Sequence, residues 1–196
     1  FSADLRPKYL PWPKIQSFLA SIDRHTAIGK RDYAILLLLA AYGLRSQEAA
    51  RLALNDIDWE NKRLTLRERK GGRAAALPLR PEVEGALRDY LETARPKGHP
   101  EFNEVFLTLR APIQPLGHSL CCIVGRDLKR YFGHSLKPSG AYVLRHSFAK
   151  ALLDKGAPMT AVRDLLGHRS LETTLVYTRI ATEDLREMAQ NYAQLL

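Results

Sequence analysis

Apolar positions recur at helical spacing from the first proline-flanked segment onward. Pro11 and Pro13 introduce Ile15, Phe18, Leu19 and Ile22, an i, i+3, i+4, i+7 set that predicts an amphipathic helix with one inward face. The run from Ala34 to Ala41 is apolar nearly all round, which predicts a helix over Arg31–Tyr42 buried in the middle of the domain. Gly43 sits where it would stop that helix, and a short helical pattern resumes through Ala49, Ala50, Leu52 and Leu54.

From Asn55 the period changes from helical to alternating. Ile57 and Trp59, then Arg63 to Arg69 with Leu64 and Leu66 inward, then Ala74 to Leu79, predict a small three-stranded antiparallel sheet. Gly71-Gly72 supplies the positive φ of its second hairpin. Pro81 opens a further helix with Val83, Ala86, Leu87 and Leu91 inward, residues 93–103 read as a polar loop, and Val105-Phe106-Leu107 as a short buried segment. Residues 116–132 predict a helix that exposes Arg126, Lys129 and Arg130, with Lys137 just beyond, a basic stripe suited to phosphates. The remainder is helical: Tyr142 to about Leu153 with Leu144, Phe148 and Leu152 as its core stripe, then Met159–Leu166, a short helix capped by Ser170 and leading to Tyr177, and a last helix from Thr182. The fold class is α+β, mainly α: a helical domain with one small sheet. Residues 1–10 lack a periodic pattern and read as an interdomain linker, which leaves 11–196 as the domain.

Composition narrows the partner. With 45% hydrophobic and 26% charged residues the chain can build a core, and 30 Lys+Arg against 21 Asp+Glu give a net charge of +9, which favours nucleic acid over a membrane surface. Cys121 and Cys122 are adjacent and cannot staple distant segments, which points to a reducing compartment. Ala34–Ala41 falls far short of the roughly 20 apolar residues of a membrane span. A soluble, cytoplasmic protein is expected. His118, Cys121 and Cys122, with His134, lack the separated C-x-x-C pair of a structural zinc site, so no metal is expected.

The chemistry-bearing residues stand at element ends. Arg45 lies between the buried helix and the next; it is either solvated or paired with Glu48 at i+3, or a phosphate ligand. Lys70 at the hairpin tip is either a solvated turn residue or a proton donor carried into a groove. Tyr142 and Arg145 are i, i+3 neighbours, and His168 and Tyr177 follow, so a guanidinium, an imidazole and a phenol fall within one short helical region.

These residues, in this order, resemble the catalytic domain of the tyrosine recombinase (phage integrase) family, in the flavour of Xer-like and transposon integrases. The matching text is Tyr42-Gly43-Leu44-Arg45-Ser46-Gln47-Glu48, the hairpin Lys70, Leu144-Arg145-His146-Ser147-Phe148-Ala149, Leu166-Gly167-His168, and Thr173-Thr174 with Tyr177 nine residues after His168. The resemblance implies a site-specific recombinase that cleaves and rejoins double-stranded DNA through a 3′-phosphotyrosyl link. Tyr177 would be the nucleophile, Arg45 and Arg145 the phosphate clamp, Lys70 the acid for the leaving 5′-oxygen, and His168 a hydrogen-bonding or proton-transfer partner. No cofactor is implied. Arg73, Arg126, Lys129, Arg130 and Lys137 would contact DNA phosphates, the 182–196 helix would pack on a neighbour in a tetramer on DNA, and the family's amino-terminal DNA-binding domain lies outside these 196 residues. A bacterial, phage or mobile-element origin and nucleoid association also follow from the resemblance.

Tyr142 stands where the family commonly has histidine; a phenol can donate a hydrogen bond to phosphate but cannot act as a cation near pH 7. Tempered activity is expected. His146 reads as structural, and Glu48 as orienting Arg45 or the backbone. Two alternatives stay open: a non-catalytic helix-turn-helix DNA-binding protein built around Gly156, and a type IB topoisomerase-like enzyme.

Overall fold

The structure is a computed structural model, and residues 9–67, 74–133 and 140–166 are described. Its centre is the apolar helix. That helix, α2 (Ala27–Tyr42), follows α1 (Trp12–Ala20) and starts four residues before the expected Arg31. Thr26 sets the start, its hydroxyl oxygen accepting the Gly29 N–H at 3.0 Å as an N-cap. Ile35, Leu36, Leu38 and Leu39 are all fully buried, since helices from both earlier and later in the chain pack against α2.

Gly43 ends α2 in the left-handed region, with φ at +61°. A Cβ there would lie 2.5 Å from Phe148 Cδ1 and 2.9 Å from Leu166 Cδ2, so both conformation and space demand glycine. The chain then forms α3 (Ser46–Ala50) and a 3₁₀ turn (Leu54–Asp56), and α3 stops four residues short of the Leu54 that the sequence pattern included.

The sheet is antiparallel in the order β1 (Ile57–Asp58), β2 (Arg63–Leu66), β3 (Ala75–Pro78), with Leu64 paired to both Ile57 and Leu77. Leu64, Leu66 and Leu77 are buried while Arg63, Ala76 and Pro78 are exposed, the alternation of a sheet with one covered face. Tyr42 ties this sheet to α2: its hydroxyl donates to the Pro78 carbonyl at 2.8 Å and accepts the Arg80 N–H at 3.0 Å.

Helix α4 (Pro81–Thr93) buries Val83 and Leu87 as the pattern predicts, and also Tyr90, whose hydroxyl accepts the Leu107 N–H at 3.2 Å. Ala86 and Leu91 only border the core. Helix α5 is Ser119–Phe132, and α6 (Ala141–Asp154) and α7 (Met159–Leu166) form the last described pair. Val143 to Lys150 of α6 are buried without interruption, so this helix is central rather than merely amphipathic. Tyr9 and Leu10, placed by pattern in the linker, rest on it: the Leu10 N–H donates to Ser147 Oγ at 2.8 Å, and Tyr9 packs in the cluster of Phe148, Val162 and Leu166.

Candidate active site

The site begins at the Gly43 reversal. Two residues on, Arg45 takes extended backbone angles and serves as N-cap of α3. Its partner is Glu48, 6% exposed, whose Oε2 accepts the Arg45 N–H at 2.8 Å and whose Oε1 accepts Arg45 Nη1 at 3.0 Å. Of the two readings of Arg45, the local pair is therefore present. It also orients the arginine, because a buried carboxylate grips both its backbone and its head, a charge-assisted arrangement that fixes rotamer as well as charge.

Arg145 comes from α6 and is 5% exposed. Its Nη1 donates to the Gly43 carbonyl at 2.7 Å and its Nη2 to the Leu166 carbonyl at 2.6 Å. Those two oxygens cap the ends of α2 and α7, where helical carbonyls lack intrahelical partners and the helix dipole is negative. A guanidinium satisfies both ends at once through two nitrogens of one fixed planar fork, a geometry that an ammonium lacks. The consequence is a short chain of contacts: Glu48 holds Arg45, Arg45 lies two residues past Gly43, Gly43 receives Arg145, and Arg145 fixes the end of α7. The two arginines chosen from sequence are thus brought to one junction of three helices.

Tyr142 lies one turn before Arg145 but differs from it in burial, being 55% exposed. Its ring meets that of His146 edge-on, with centroids 3.7 Å apart and planes at 72°. His146 is 4% exposed, in keeping with a structural place. Lys70, His168 and Tyr177 lie outside the described residues, as do Arg73, Lys137 and His134.

The basic stripe on α5 divides. Arg126, Lys129 and Arg130 are all exposed, but they differ in partners. Arg126 is spoken for: its Nε donates to Asp127 Oδ1 at 2.7 Å and its Nη2 to Asp32 Oδ2 at 2.5 Å, and hydrogen bonding by Asp127 raises its pKa further despite some desolvation. Asp32 is 2% exposed, and burial raises its pKa even though Arg31 and Arg126 pull the other way. This network ties α2 to α5. Sequence reasoning missed the Asp32 partner, and also the two main-chain carbonyls that hold Arg145, which no side-chain pattern announces.

Near α3, His118 Nδ1 lies 3.1 Å from Gln47 Nε2, and Cys121 donates its thiol to the His118 carbonyl. Among the described residues no three His, Cys, Asp or Glu side chains gather as a metal site, and no helix is long and apolar enough to cross a membrane.

The phage integrase family profile matches residues 8–184. The putative integrase/recombinase y4rA of Sinorhizobium fredii (strain NBRC 101917 / NGR234) is 40% identical over 93% of this chain and 44% of its own length. Tyrosine recombinase XerD of Listeria innocua is 32% identical over 95% of this chain and 62% of its own. Among solved structures, the XerH site-specific recombinase bound to palindromic difH substrate in a post-cleavage complex superposes with a TM-score of 0.76 at 26% identity, over 96% of this chain and 54% of that one. This chain therefore spans about half the length of such relatives, from 44% to 62%.

Proposed function

This chain belongs to the phage integrase family, and from that premise we propose that it is the catalytic domain of a tyrosine-type site-specific recombinase acting on double-stranded DNA. The observation that carries the proposal is the double anchoring of Arg145 on Gly43 and Leu166, which ties it to the turn two residues before Arg45.

The chemistry is a phosphoryl transfer. The phenolate of Tyr177 attacks a DNA phosphorus, a phosphorus–oxygen bond to tyrosine forms, and the bond to the 5′-oxygen breaks. A free phenol has a pKa of about 10, and two guanidiniums close by favour its ionised form. Arg45 and Arg145 hold the non-bridging oxygens and stabilise the charge that develops on them. Lys70 gives its proton to the departing oxygen, and His168 hydrogen-bonds the phosphate. The link conserves the bond energy, so rejoining to another 5′-hydroxyl needs no cofactor. The net charge of +9 and exposed Lys129 and Arg130 suit a polyanion. The helical spacing of Leu185, Met188, Tyr192 and Leu195 in the sequence suits packing on a neighbour in a tetramer assembled on DNA, within a bacterial or mobile-element nucleoprotein complex.

Nicked suicide duplexes, drawn from a random-sequence pool by covalent capture, test this. The expected result is a protein–DNA adduct that Tyr177→Phe abolishes. No adduct with any duplex would leave the helix-turn-helix alternative, and an adduct that never transfers its strand to a second duplex would favour a topoisomerase.

A further inference from the structure

Tyr9 and Leu10 lie against α6, the helix that carries Arg145. Pro11 restricts Leu10 to extended backbone, and consecutive side chains of an extended segment point opposite ways. Leu10 accordingly enters the main core, while Tyr9 packs on a second cluster, Phe148, Ala149, Val162 and Leu166, which α6 and α7 share. Polar contacts fix the same segment. Ser147 is buried and uses its hydroxyl twice: Oγ accepts the Leu10 N–H at 2.8 Å and donates to the Val143 carbonyl at 2.8 Å. Lys150, ion-paired with Asp154, holds its ammonium 5.7 Å from the centre of the Tyr9 ring, within cation–π range.

The second cluster also sets the two oxygens that grip Arg145. Leu166 belongs to it, and the Leu166 carbonyl accepts Arg145 Nη2 at 2.6 Å. The other acceptor is the carbonyl of Gly43, and the atoms nearest to a Cβ built on that glycine are Phe148 Cδ1 and Leu166 Cδ2. The cluster therefore presses on the α2 turn from one side while the guanidinium bonds to it. Helix α7 has eight residues, too few to hold its shape by backbone bonding alone, so its place depends on this packing.

We infer that Tyr9 is a positioning residue for Arg145, acting through the Phe148–Leu166 cluster that carries or contacts both of the arginine's acceptors. The inference rests on the recombinase reading and deepens it: the plane of the phosphate clamp depends on a strap of chain tied to α6 across 137 residues of sequence.

The test compares single-turnover cleavage of the captured nicked duplex with that of the same duplex carrying a methylphosphonate at the scissile position. A methyl group in place of a non-bridging oxygen removes the negative charge that the arginines neutralise, so this substrate depends less on their placement. Tyr9→Ala, assayed where urea unfolding shows it to be folded, should slow the phosphodiester roughly 10- to 100-fold, the loss expected from a shift of about 1 Å, and cleave the methylphosphonate within about 3-fold of the unsubstituted protein. Tyr9→Phe keeps the ring and should restore both rates. Arg45→Ala sets the pattern of a lost clamp, slow on the phosphodiester and recovered on the methylphosphonate. Val83→Ala, a truncation of a buried side chain on α4, controls for lowered stability and should change neither rate. Tyr9→Leu makes the same comparison if the alanine variant does not fold. Tyr9 variants that are folded and normal on both substrates, or equally slow on both, overturn the inference, as does Tyr9→Phe being as slow as Tyr9→Ala. If Arg45→Ala is not recovered by the methylphosphonate, the clamp assignment falls and the inference with it. If the unsubstituted protein captures no duplex, the recombinase reading itself falls.

Discussion

Arg145 and Gly43 are 102 residues apart, and a 2.7 Å hydrogen bond from the guanidinium to the glycine carbonyl makes the arginine a structural link as well as the proposed phosphate ligand. The two roles need the same geometry, since the bonds to Gly43 and Leu166 set the plane in which the guanidinium presents itself. Arg145→Lys keeps the charge but loses the two-nitrogen fork that bridges the carbonyls. The expected outcome is loss of adduct formation together with a fall in stability of about 1–3 kcal/mol, the cost of leaving one buried carbonyl unsatisfied. Urea unfolding beside the suicide-substrate assay reads both.

Gly43→Ala tests the close approach of α2 to α6 and α7. The new Cβ would press on Phe148 and Leu166, and the residue would remain at positive φ. Overpacking costs about 1–3 kcal/mol and the left-handed conformation roughly 1 more, so the melting temperature should drop clearly. Phe148→Leu in the same chain removes the ring atom Cε1, the contact at 3.2 Å, and lets the remaining Cδ methyls turn away, so it should recover part of the loss but not the backbone strain.

Burial raises the pKa of Tyr42, against the opposing effect of its bond from the Arg80 N–H, and burial likewise raises that of Tyr90. A folded pKa above the unfolded one of about 10 means stability that is complete below pH 10 and lost as pH rises through the folded value. Two tyrosines should therefore ionise late in a spectrophotometric titration, with unfolding in the same range. Tyr42→Phe should remove one late proton and cost about 1–3 kcal/mol, because the Pro78 carbonyl and Arg80 N–H lose their shared partner.

The sequence made the fold legible where its signal was periodic. Eight consecutive apolar residues from Ala34 identify α2 as central, and Leu64 and Leu66 identify the covered face of the sheet. The true start of α2 was hidden because it depends on the Thr26 cap and not on apolar spacing. At the site, Arg45 and Arg145 were legible as charged groups at element ends. What holds Arg145 was not, since its partners are main-chain oxygens. Arg126 is exposed as the pattern predicts, but its pairing was not legible because Asp32, its buried partner, is 94 residues away.

Tyr142 offers a direct gain-of-function test. Its side chain is 55% exposed and it touches His146 only by ring contact, so Tyr142→His should fold normally. An exposed imidazole near pKa 6.5 can donate as a cation, and a positioned acid contributes about 100-fold or more where it is optimal. A modest rise in cleavage rate over the unsubstituted protein is expected, largest below pH 6.5 and fading above it. A flat ratio of the two rates between pH 5.5 and 8 would mean that residue 142 does not contact the phosphate.

Arg126, Lys129 and Arg130 share α5 but should differ in DNA binding. Lys129 and Arg130 are exposed, so replacing either with alanine should release one fewer counterion and reduce the slope of log affinity against log salt by about 1. Arg126 is already neutralised by Asp32 and Asp127. To grip a phosphate it would have to abandon a carboxylate that is 2% exposed, leaving that charge buried beside Arg31 alone. Arg126→Ala should accordingly leave the salt slope unchanged and lower the urea midpoint instead. Fluorescence anisotropy on a labelled duplex from 50 to 200 mM salt separates the cases, and a unit drop in slope for Arg126→Ala would return this arginine to the DNA-binding face.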